Sequence, residues 1–548
     1  MRMSCIRKGI RAASTHLFTK LENGQNQDKK IFNDPIYGQI GFDPLLVKII
    51  DTPQFQRLLH IKQLGGTYLV YPGATHTRFE HSLGMAYLAG CMIDVLKKTH
   101  EVSDEDEMCV KIAALCYNLG HGPFSYLYEN FMREALNSDE NWKEASHLML
   151  DDMLKKNEEL KRKINEIDKD LTFIKNLIDG KYATSDKMRK KRNWREDKTF
   201  LFEIVRNKWN GIDVRRWDYF ARDCYHLGIP NSFDHQCLLK SARVCEVNGR
   251  NHICFRDKVA DSVYDMFKTR YTLYSHAYQH KISNIIEIKI TEALKAAEGK
   301  LTKISPFTED PSSSRRGSQK RKIATDEERV AKLSKLTDHI FEEILYSTDD
   351  ELKDARMKLE DVVNRRLPKC VGETRVTEAE FKDKQIFQVI QLDCTFSKGE
   401  NPIDKVYFYW KRNPTEAFKI KKYEVSSLLP EEFTEYVGRI YYTKNSDEEE
   451  RDAKECFKWW RRGECVIQVY DKDEFRGNKC FITEDCPSLD CCGIDVVCSC
   501  KVNSGIWELY EGRDYNEPHY LLEEEQLYRN PAEWDATNPA QSLKRVTE

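Results

Sequence analysis

Side chains that can bind metals or phosphates gather in three short phrases of the chain. RFEHS contains His81, LCYNLGHG contains Tyr117, Asn118 and His121, and NGIDVRRWDYF contains Arg215. Imidazole binds divalent cations and transfers protons near neutral pH, whereas a tyrosine coordinates metals well only when it is ionised. A guanidinium about 4 Å from a divalent ion repels it by several kcal/mol even at an effective dielectric of about 20. The guanidinium therefore disfavours a divalent metal beside it.

A second group of charges lies in a polar loop, where RRGSQKRK occupies residues 315–322. Such a run can act as a nuclear import signal or bind the phosphates of single-stranded nucleic acid. Ser318 follows two arginines, as in a basophilic kinase site, and a phosphate there would cancel much of the charge. A merely solvated loop explains the same residues. We expect the nucleus, the cytoplasm or both, with the nucleus favoured.

The composition is that of an ordinary globular chain with more than one domain. Its 548 residues exceed the length at which a single core usually stops growing. The 87 basic and 90 acidic side chains give a net charge of -3, so no global basic field indicates nucleic acid. No apolar run approaches the roughly 20 residues of a membrane helix, and we expect no membrane partner. The first twenty residues hold five bases and no acid, which is compatible with a mitochondrial presequence or a short basic lead-in over residues 1–29.

Hydrophobic spacing predicts the elements that position these groups. Apolar residues recur every three or four positions through 30–306, which predicts the main helical core. Residues 307–330 should form a disordered basic insertion, and 331–445 should continue as helices and then as a small α+β lobe. Within that lobe we expect strands at IFQVIQLDCTF and KVYFYW and a helix at EEFTEYVGRIYY. The charged stretch 446–464 should be a linker before an all-β module at 465–548.

Long phrases between residues 30 and 445 resemble one known family. FNDPIYGQIGFDPLLVKIIDTPQFQRLLHIKQLGGTYLVYPGATHTRFEHSLG leads on to LCYNLGHGPFSY, NGIDVRRWDYFARDCYHLGI and NPIDKVYFYW. Together they resemble the vertebrate SAM- and HD-domain deoxynucleoside triphosphate triphosphohydrolases. The resemblance implies a mainly α-helical HD-superfamily core with a small α+β lobe, and cleavage of a dNTP to a deoxynucleoside and triphosphate. We expect no SAM domain in this chain.

The resemblance also implies a divalent metal, either Mg, Mn, Fe or Zn, bound by histidine and aspartate. His81 keeps one ligand position. Tyr117 and Asn118 replace the family's His-Asp pair, and Arg215 replaces its last aspartate, so we expect the catalytic metal to be absent. Arg215 could act as a counter-charge that keeps a triphosphate in the pocket. A purely structural interpretation explains the same residues. In it, Tyr117 and Asn118 are packing residues, and Arg215 pairs with Asp213 or another nearby carboxylate, such as that of residue 218.

The histidines around the family's metal are also incomplete in this chain. His121 is retained in GHGPFS and is the remaining catalytic candidate, whereas Tyr126 replaces the next histidine. The histidine expected just after Trp142 is missing from a shortened WKEAS. His147 lies nearby and could substitute in part, although a plain helix-surface histidine explains it as well.

The resemblance carries over two sets of nucleotide-binding positions. The substrate positions for the sugar and the phosphates are Gln63, Leu64, Arg78, Arg216, Tyr219, Asp223, Arg270 and Tyr278. The positions for the GTP and dNTP activators are Lys30, Asn33, Asp51, Gln56, Val70, Asp234, Arg256, Lys258, His280 and Lys281. Leu59 and Cys237 stand at two arginine positions of the activator sites, so activation should be weakened. We expect dNTP and GTP as ligands, and a homo-oligomer, dimer or tetramer, or a hetero-oligomer with an active relative.

Residues 465–548 resemble a βγ-crystallin domain, which is a Greek-key sandwich of two motifs. VIQVYDKDEFRGNKCFITEDCPSL supplies the first aromatic hairpin, and Gly477 should adopt the positive φ that the folded hairpin needs. VVCSC and NPAQS depart from the calcium-binding pattern of that group, so we expect no calcium there.

The sequence thus predicts a deoxynucleotide-binding homologue of a family involved in dNTP pool control and antiviral innate immunity, with a degraded metal site and impaired hydrolysis, that is, a pseudoenzyme. Two alternatives stay open. One is an active dNTP triphosphohydrolase with an altered site. The other is a nucleic-acid or protein-binding scaffold that acts through residues 315–322 and the C-terminal module.

Overall fold

In the computed structural model the chain divides into two compact units. One draws on residues 1–366 and 392–435, and the other on 367–391 and 436–548. The structure describes residues 29–136, 142–169, 171–181, 196–301, 307–309, 321–323, 325–376, 388–393, 401–426, 433–442, 447–462, 465–524 and 526–546. The basic lead-in, except residue 29, and most of the basic loop at 315–322 lie outside these residues.

Helices build most of the first unit. The described α-helices are α1 (Pro44–Ile50), α2 (Pro53–Gln56), α3 (Arg78–Leu96), α4 (Asp104–Cys116), α5 (Tyr126–Leu136), α6 (Trp142–Lys155), α7 (Glu158–Ile167), α8 (Thr172–Asp179), α9 (Phe202–Val205), α10 (Val214–Leu227), α11 (His235–Ser241), α12 (Ala260–Leu273), α13 (Lys281–Ala297), α14 (Asp326–Leu333), α15 (Ile340–Leu345), α16 (Lys353–Val363), α17 (Lys422–Val425) and α18 (Asp447–Arg462). A π-helical turn, Tyr274–Tyr278, joins α12 to α13.

The strands are short and form several small sheets. They are β1 (Lys30–Asp34), β2 (Gly38–Phe42), β3 (Ala242–Val247), β4 (Arg250–Arg256), β5 (Phe307–Glu309), β6 (Arg321–Ile323), β7 (Lys369–Val376), β8 (Gln388–Asp393), β9 (Phe408–Trp410), β10 (Asn413–Phe418), β11 (Thr434–Tyr442), β12 (Val466–Lys472), β13 (Arg476–Ile482), β14 (Ser499–Ser504), β15 (Trp507–Tyr510), β16 (His519–Leu522), β17 (Leu527–Tyr528) and β18 (Ser542–Arg545). Strands β1 and β2 pair as a hairpin, and β3, β4, β9 and β10 close on one another.

The core of the first unit centres on α3, which is buried on almost every side and packs against α4 and α10. A helix that is apolar all round belongs inside a protein, as the spacing of its residues predicts. Thr77 starts α3 with a capping box whose second partner is Glu80, and Ser103 starts α4 in the same way. These caps fix the starts of the helix that holds His81 and of the helix that leads to Tyr117 and Asn118.

The main helical core and the C-terminal all-β module are confirmed, but one prediction between them is wrong. The segment EEFTEYVGRIYY was predicted to be a helix, yet Thr434–Tyr442 forms β11 at the centre of the sheet β7-β11-β8. Its β-branched and aromatic residues favour a strand. The charged stretch predicted as a linker forms α18, on which Phe457 packs against Gly372 of β7. The acidic side chains at its start suit a helix N-terminus.

The predicted disordered insertion at 307–330 also has some order at its ends. Backbone pairing joins β5 to β6, with Phe307 opposite Ile323. Thr325 begins α14 with a capping box to Glu328, five residues before the insertion was predicted to end. The residues between β5 and β6 lie outside the described part of the chain.

The C-terminal module is a pair of sheets, β13-β12-β14-β17 and β16-β15-β18, with a core that includes Trp507 and Trp534. The prediction for Gly477 is confirmed, since its φ is +82°. A Cβ at this position would lie 1.9 Å from Oδ1 of Asp471. That carboxylate accepts hydrogen bonds from the backbone and the side chain of Asn478, at 2.8 and 2.9 Å. The folded hairpin therefore depends on glycine for two separate reasons.

No helix in the described ranges has the length and apolar character that a membrane crossing requires.

A side chain at Gly477 has two costs, which are the left-handed backbone and the clash with Asp471. Gly493 separates them, because its φ is +71° but its Cβ would meet no atom within 4 Å. We expect Gly493→Ala to lower the free energy of unfolding by about 1 kcal/mol, the usual cost of left-handed backbone. Gly477→Ala should lower it by about 2 to 3 kcal/mol, because the bonds of Asp471 to Asn478 are also lost. Urea unfolding of the full chain measures both values. Equal losses in the two variants would contradict the steric argument.

Candidate functional site

A buried carboxylate, Asp218 of α10, holds the first predicted ligand residue. Its Oδ2 lies 2.6 Å from Nδ1 of His81, and Arg222 donates to both of its oxygens at 2.9 Å. Burial opposes the ionisation of Asp218, but Arg222 and His81 outweigh it and keep the pKa of Asp218 below its ordinary value. Histidines that bind metals commonly contact a carboxylate through their other ring nitrogen. His81 therefore keeps the local arrangement of a metal ligand.

The same network ties three elements of the fold together. Nη1 of Arg222 lies 2.9 Å from Oδ2 of Asp34 at the end of β1. On α3, Gly84 passes so close to Asp218 that a Cβ would lie 1.8 Å from its Oδ1. The β1-β2 hairpin, α3 and α10 therefore meet at one buried carboxylate.

Asn118, the third of the four predicted ligand positions, is fully buried and its amide is engaged by protein groups. Its Oδ1 accepts from Nη1 of Arg78 at 3.2 Å, and its Nδ2 donates to Oγ of Ser82 at 3.0 Å. Arg78 also donates through Nε to Ser125 at 2.9 Å. The amide therefore connects α3 to the turn that follows α4.

Tyr117 and Arg215 lie against each other. The guanidinium carbon of Arg215 is 5.7 Å from the centroid of the Tyr117 ring, which is a cation–π distance. Burial raises the pKa of Tyr117, so its phenol resists the ionisation that strong metal binding requires. Burial also opposes the charge of Arg215, but Tyr117 and Asp213 outweigh it and hold the pKa of Arg215 above its ordinary value.

Asp213 serves mainly as the cap of α10. Its Oδ1 accepts from the backbone N–H of Arg216 at 2.9 Å, and its Oδ2 accepts from the backbone N–H of Asn207 at 3.0 Å. Nε of Arg215 lies 3.6 Å from Oδ1 of Asp213, beyond hydrogen-bond distance. The structural interpretation of Arg215 therefore agrees with the structure in part. Arg215 forms an ion pair with Asp213 and not with Asp218.

His121 is fully buried beside several cations. Burial lowers the pKa of His121 well below its ordinary value, and Arg78 and His81 lower it further. Its backbone carbonyl accepts from Arg57 at 2.8 Å, and its ring lies edge-on to Tyr126 at 5.4 Å between centroids. His121 is therefore neutral near pH 7. Nε2 of His147 lies 3.4 Å from Oδ1 of Asp179.

A second buried carboxylate, Asp223, is one of the predicted sugar-binding residues. Its Oδ1 lies 2.7 Å from Nε2 of His76, and its Oδ2 accepts from the hydroxyl of Tyr278 in the π-helical turn. Gln63 pairs with His76 through the backbone at 3.0 Å. Oε1 of Gln63 is buried and has no hydrogen-bond donor within the described ranges. The hydroxyl group of a bound ligand has the donor that this buried oxygen lacks.

The predicted phosphate-binding residues surround the same interior. Arg216 is buried and donates to the carbonyl of Gly211. The guanidinium of Arg270 lies 4.4 Å from the ring centroid of Tyr274. Tyr219 is within electrostatic range of both arginines, and burial raises its pKa to about 12. Leu64 is half-buried and packs against the core. The predicted substrate positions thus form one connected region beside Tyr117 and Arg215.

The known proteins similar to this chain include several vertebrate proteins of one name. A deoxynucleoside triphosphate triphosphohydrolase SAMHD1 from Danio rerio is 44% identical over 505 residues, which cover 85% of this chain and 78% of the relative. The chain belongs to the SAMHD1 family. The Homo sapiens member is 42% identical over 470 residues, with 79% of this chain and 73% of the relative covered. A SAMHD1 homolog from Dictyostelium discoideum is 33% identical over 439 residues, covering 76% of this chain and 77% of its own.

The C-terminal module has a family of its own. The family model described as Beta/Gamma crystallin matches residues 466–546. Together with the SAMHD1 relatives, this match confirms the predicted fold class, which is a helical HD-type core followed by a βγ-crystallin domain. It also agrees with the two sheets built from β12 to β18.

The predicted activator positions of the SAMHD1 family lie mostly on the surface of the first unit. Lys30 lies 3.1 Å from Asp51, so two of these positions contact each other. Asp234 caps α11, and His280 caps α13. The remaining positions are either exposed or half-buried, and they are Asn33, Gln56, Val70, Arg256, Lys258 and Lys281. Leu59 and Cys237, which replace arginines, are both exposed.

Sequence comparison with the SAMHD1 family missed several residues of this site. His76 and Arg222 position Asp223 and Asp218, and although both lie within the family phrases, no sequence signal distinguished them there. Lys143 lies within electrostatic range of His121 and Arg215. A signal for Lys143 existed, because it directly follows Trp142 at the place of the missing histidine. No group of three or more His, Cys, Asp or Glu side chains suited to a metal occurs in the part of the chain that the structure describes.

The buried network around Asp218 depends on the missing side chain of Gly84. We expect Gly84→Ala to lower the free energy of unfolding by about 3 kcal/mol or more, because a Cβ would force Asp218 away from His81 and Arg222. Gly90→Ala on the same helix is the control, since its Cβ would meet only the flexible end of Lys111. That control should gain up to about 1 kcal/mol from helix propensity. Urea unfolding distinguishes the two, and similar stabilities would show that Asp218 is not a fixed constraint.

Proposed function

We propose that this chain is a deoxynucleotide-binding member of the SAMHD1 family whose triphosphohydrolase activity is impaired or absent. One observation carries the proposal: a half-buried, permanently charged guanidinium, Arg215, lies against Tyr117 where the family resemblance implies two metal ligands. The relatives are named as deoxynucleoside triphosphate triphosphohydrolases. Their substrate class is therefore the first choice for the ligand of this chain.

The donor chemistry at the four positions does not fit a divalent metal. His81 offers one ring nitrogen, but the amide of Asn118 already binds Arg78 and Ser82. Burial raises the pKa of Tyr117, which disfavours a phenolate. Arg215 has no lone pair to offer and repels a cation. One good ligand does not hold a catalytic ion against a neighbouring positive charge.

The buried polar residues near these positions support nucleotide binding. Asp223 is oriented by His76 and Tyr278, and Gln63 presents a buried oxygen that has no donor within the described ranges. A ribose hydroxyl has the chemistry to satisfy that oxygen. Arg78 and the other phosphate-binding candidates line the neighbouring interior. We propose that a dNTP binds here with its sugar at Asp223 and its phosphates towards the arginines.

We also propose that a second nucleotide regulates this chain, but more weakly than the family resemblance implies. The activator positions retained on the surface include Lys30, Asp51, Lys258 and Lys281. Leu59 and Cys237 remove two charged contacts, and a hydrogen bond to a charged group contributes about 1.5 to 3 kcal/mol. We propose that GTP or a dNTP binds these sites weakly, and that the chain forms a homo-oligomer or a hetero-oligomer with an active relative.

Hydrolysis can be tested by release of inorganic triphosphate from dGTP plus dATP, with GTP, Mg²⁺ and Mn²⁺ present. We expect no measurable release by the unmodified chain. The triple variant Tyr117→His, Asn118→Asp, Arg215→Asp should exceed it by about 100-fold or more, because a metal stabilises transition-state charge by several kcal/mol. Turnover by the unmodified chain would reject impaired hydrolysis and favour an active enzyme with an altered site.

Binding can be tested separately at Gln63. We expect Gln63→Leu to leave the free energy of unfolding unchanged or slightly higher, because a buried acceptor without a donor is removed. Its affinity for dGTP should fall about 10-fold, because the leucine cannot bind a hydroxyl. Urea unfolding and isothermal titration calorimetry measure the two effects. A loss of stability with unchanged affinity would mean that Gln63 is a structural residue.

A further inference from the structure

Two exposed histidines lie side by side on the first unit, and the proposed function uses neither of them. His60 ends the short helical turn Arg57–His60, and His339 directly precedes α15. Their ring centroids are 5.0 Å apart, and the planes of the rings are inclined by 46°. Within the described ranges neither ring takes part in a hydrogen bond or an ion pair. Both rings are therefore open to a shared ligand.

Hydrogen bonds hold the two histidines in this position. The carbonyl of His60 accepts from the backbone N–H of Asp338 at 3.1 Å, so His60 is bound to the residue next to His339. Nε and Nη2 of Arg57 donate to the carbonyl of Leu336 at 3.1 and 2.9 Å. Arg57 and Asp338 are both buried. The two segments that carry the histidines are therefore fixed to each other before any ligand binds.

The carboxylate of Asp338 fixes the same junction from the inside. Its Oδ2 accepts from the backbone N–H of Lys62 at 2.8 Å, and its Oδ1 accepts from the backbone N–H of Phe124 at 2.6 Å. The backbone beside the histidines is thus held in place, whereas the exposed rings can still turn about their own χ2 bonds. A fixed backbone with adjustable rings suits the binding of a metal ion.

The arrangement of the rings differs from the usual contacts between aromatic groups. Stacked rings lie nearly parallel and edge-to-face rings nearly perpendicular, but an inclination of 46° is neither. A shared metal ion accounts for the spacing. Imidazole nitrogens bind zinc at about 2.0 to 2.1 Å, so two imidazoles on one tetrahedral ion have ring centroids about 5 Å apart. The observed separation of 5.0 Å is that of two ligands of one ion.

The charges around the pair permit a cation. Within four residues of His339 on either side there are three acids and one base, which are Asp338, Glu342, Glu343 and Lys335. Beside His60, Arg57 donates to backbone carbonyls, and the ammonium of Lys62 lies 4.0 Å from Oδ2 of Asp338. The two histidines therefore lack the opposing guanidinium that disfavours a divalent ion beside Tyr117.

We infer that His60 and His339 form a surface site that binds Zn²⁺. Zinc takes imidazole nitrogens as ligands and is usually four-coordinate, so the two histidines supply two ligands and water completes the shell. The site includes none of the predicted catalytic, substrate or activator residues, and it is independent of the proposed function. The bound ion joins the turn Arg57–His60 to the start of α15 through metal–ligand bonds.

The test is calorimetric titration of the full chain with ZnCl₂, after EDTA treatment and dialysis, in a reductant that does not chelate metals. We expect His60→Gln and His339→Gln each to weaken this Zn²⁺ binding by about 10- to 100-fold or more, since loss of even a hydrogen-bond partner of a ligand costs that much at other metal sites. His339→Cys should keep the binding, because a thiolate is also a zinc ligand. The double glutamine variant should lose the same single site and no more.

His519→Gln is the matched control, because His519 is also exposed and lies beside an aromatic ring, that of Tyr510, at 5.3 Å between centroids. Zinc bound elsewhere, for example by some of the 18 cysteines, is common to the parent and the glutamine variants and cancels in the comparison. Unchanged binding in His60→Gln and His339→Gln, or an equal loss in His519→Gln, would overturn the site. Equal losses in His339→Cys and His339→Gln would also overturn it, because the histidine would then act through packing and not as a ligand.

Discussion

The buried carboxylate of Asp218 is the constraint on which the first unit depends. It joins His81 on α3 to Arg222 on α10, and through Arg222 it reaches Asp34 on the β1-β2 hairpin. Removing one partner from such a group leaves an uncompensated buried charge, which costs about 3 to 5 kcal/mol. His81 therefore has a structural reason to remain even where it has no metal to bind.

Much of this fold could be predicted from the sequence, because its signals are local. The capping boxes and apolar spacing of α3 and α4 mark the helices, and Gly477 marks the folded hairpin of the C-terminal module. The strand β11 and the helix α18 could not be predicted, since the charged and aromatic residues there suit more than one structure. Tertiary contacts decide between these structures. The sheet β7-β11-β8 stabilises the strand, and the contact of Phe457 with Gly372 stabilises the helix.

The site was predictable only where a family motif exists. Tyr117, Asn118 and Arg215 could be located because they interrupt recognisable phrases. His76 and Arg222 were not singled out, because their role arises from hydrogen bonds to Asp223 and Asp218 that tertiary packing creates. Electrostatic surroundings of this kind depend on tertiary packing and leave no periodic trace in a sequence.

The cap of α10 has a consequence for how this site could have changed over generations. Asp213 holds the helix start by binding two backbone N–H groups, so this turn is closed by the protein itself and needs no ion. The protein therefore holds this turn closed whatever side chain stands at position 215. Exchanging that side chain changes the charge beside Tyr117 without removing the hydrogen bonds that fix the start of α10.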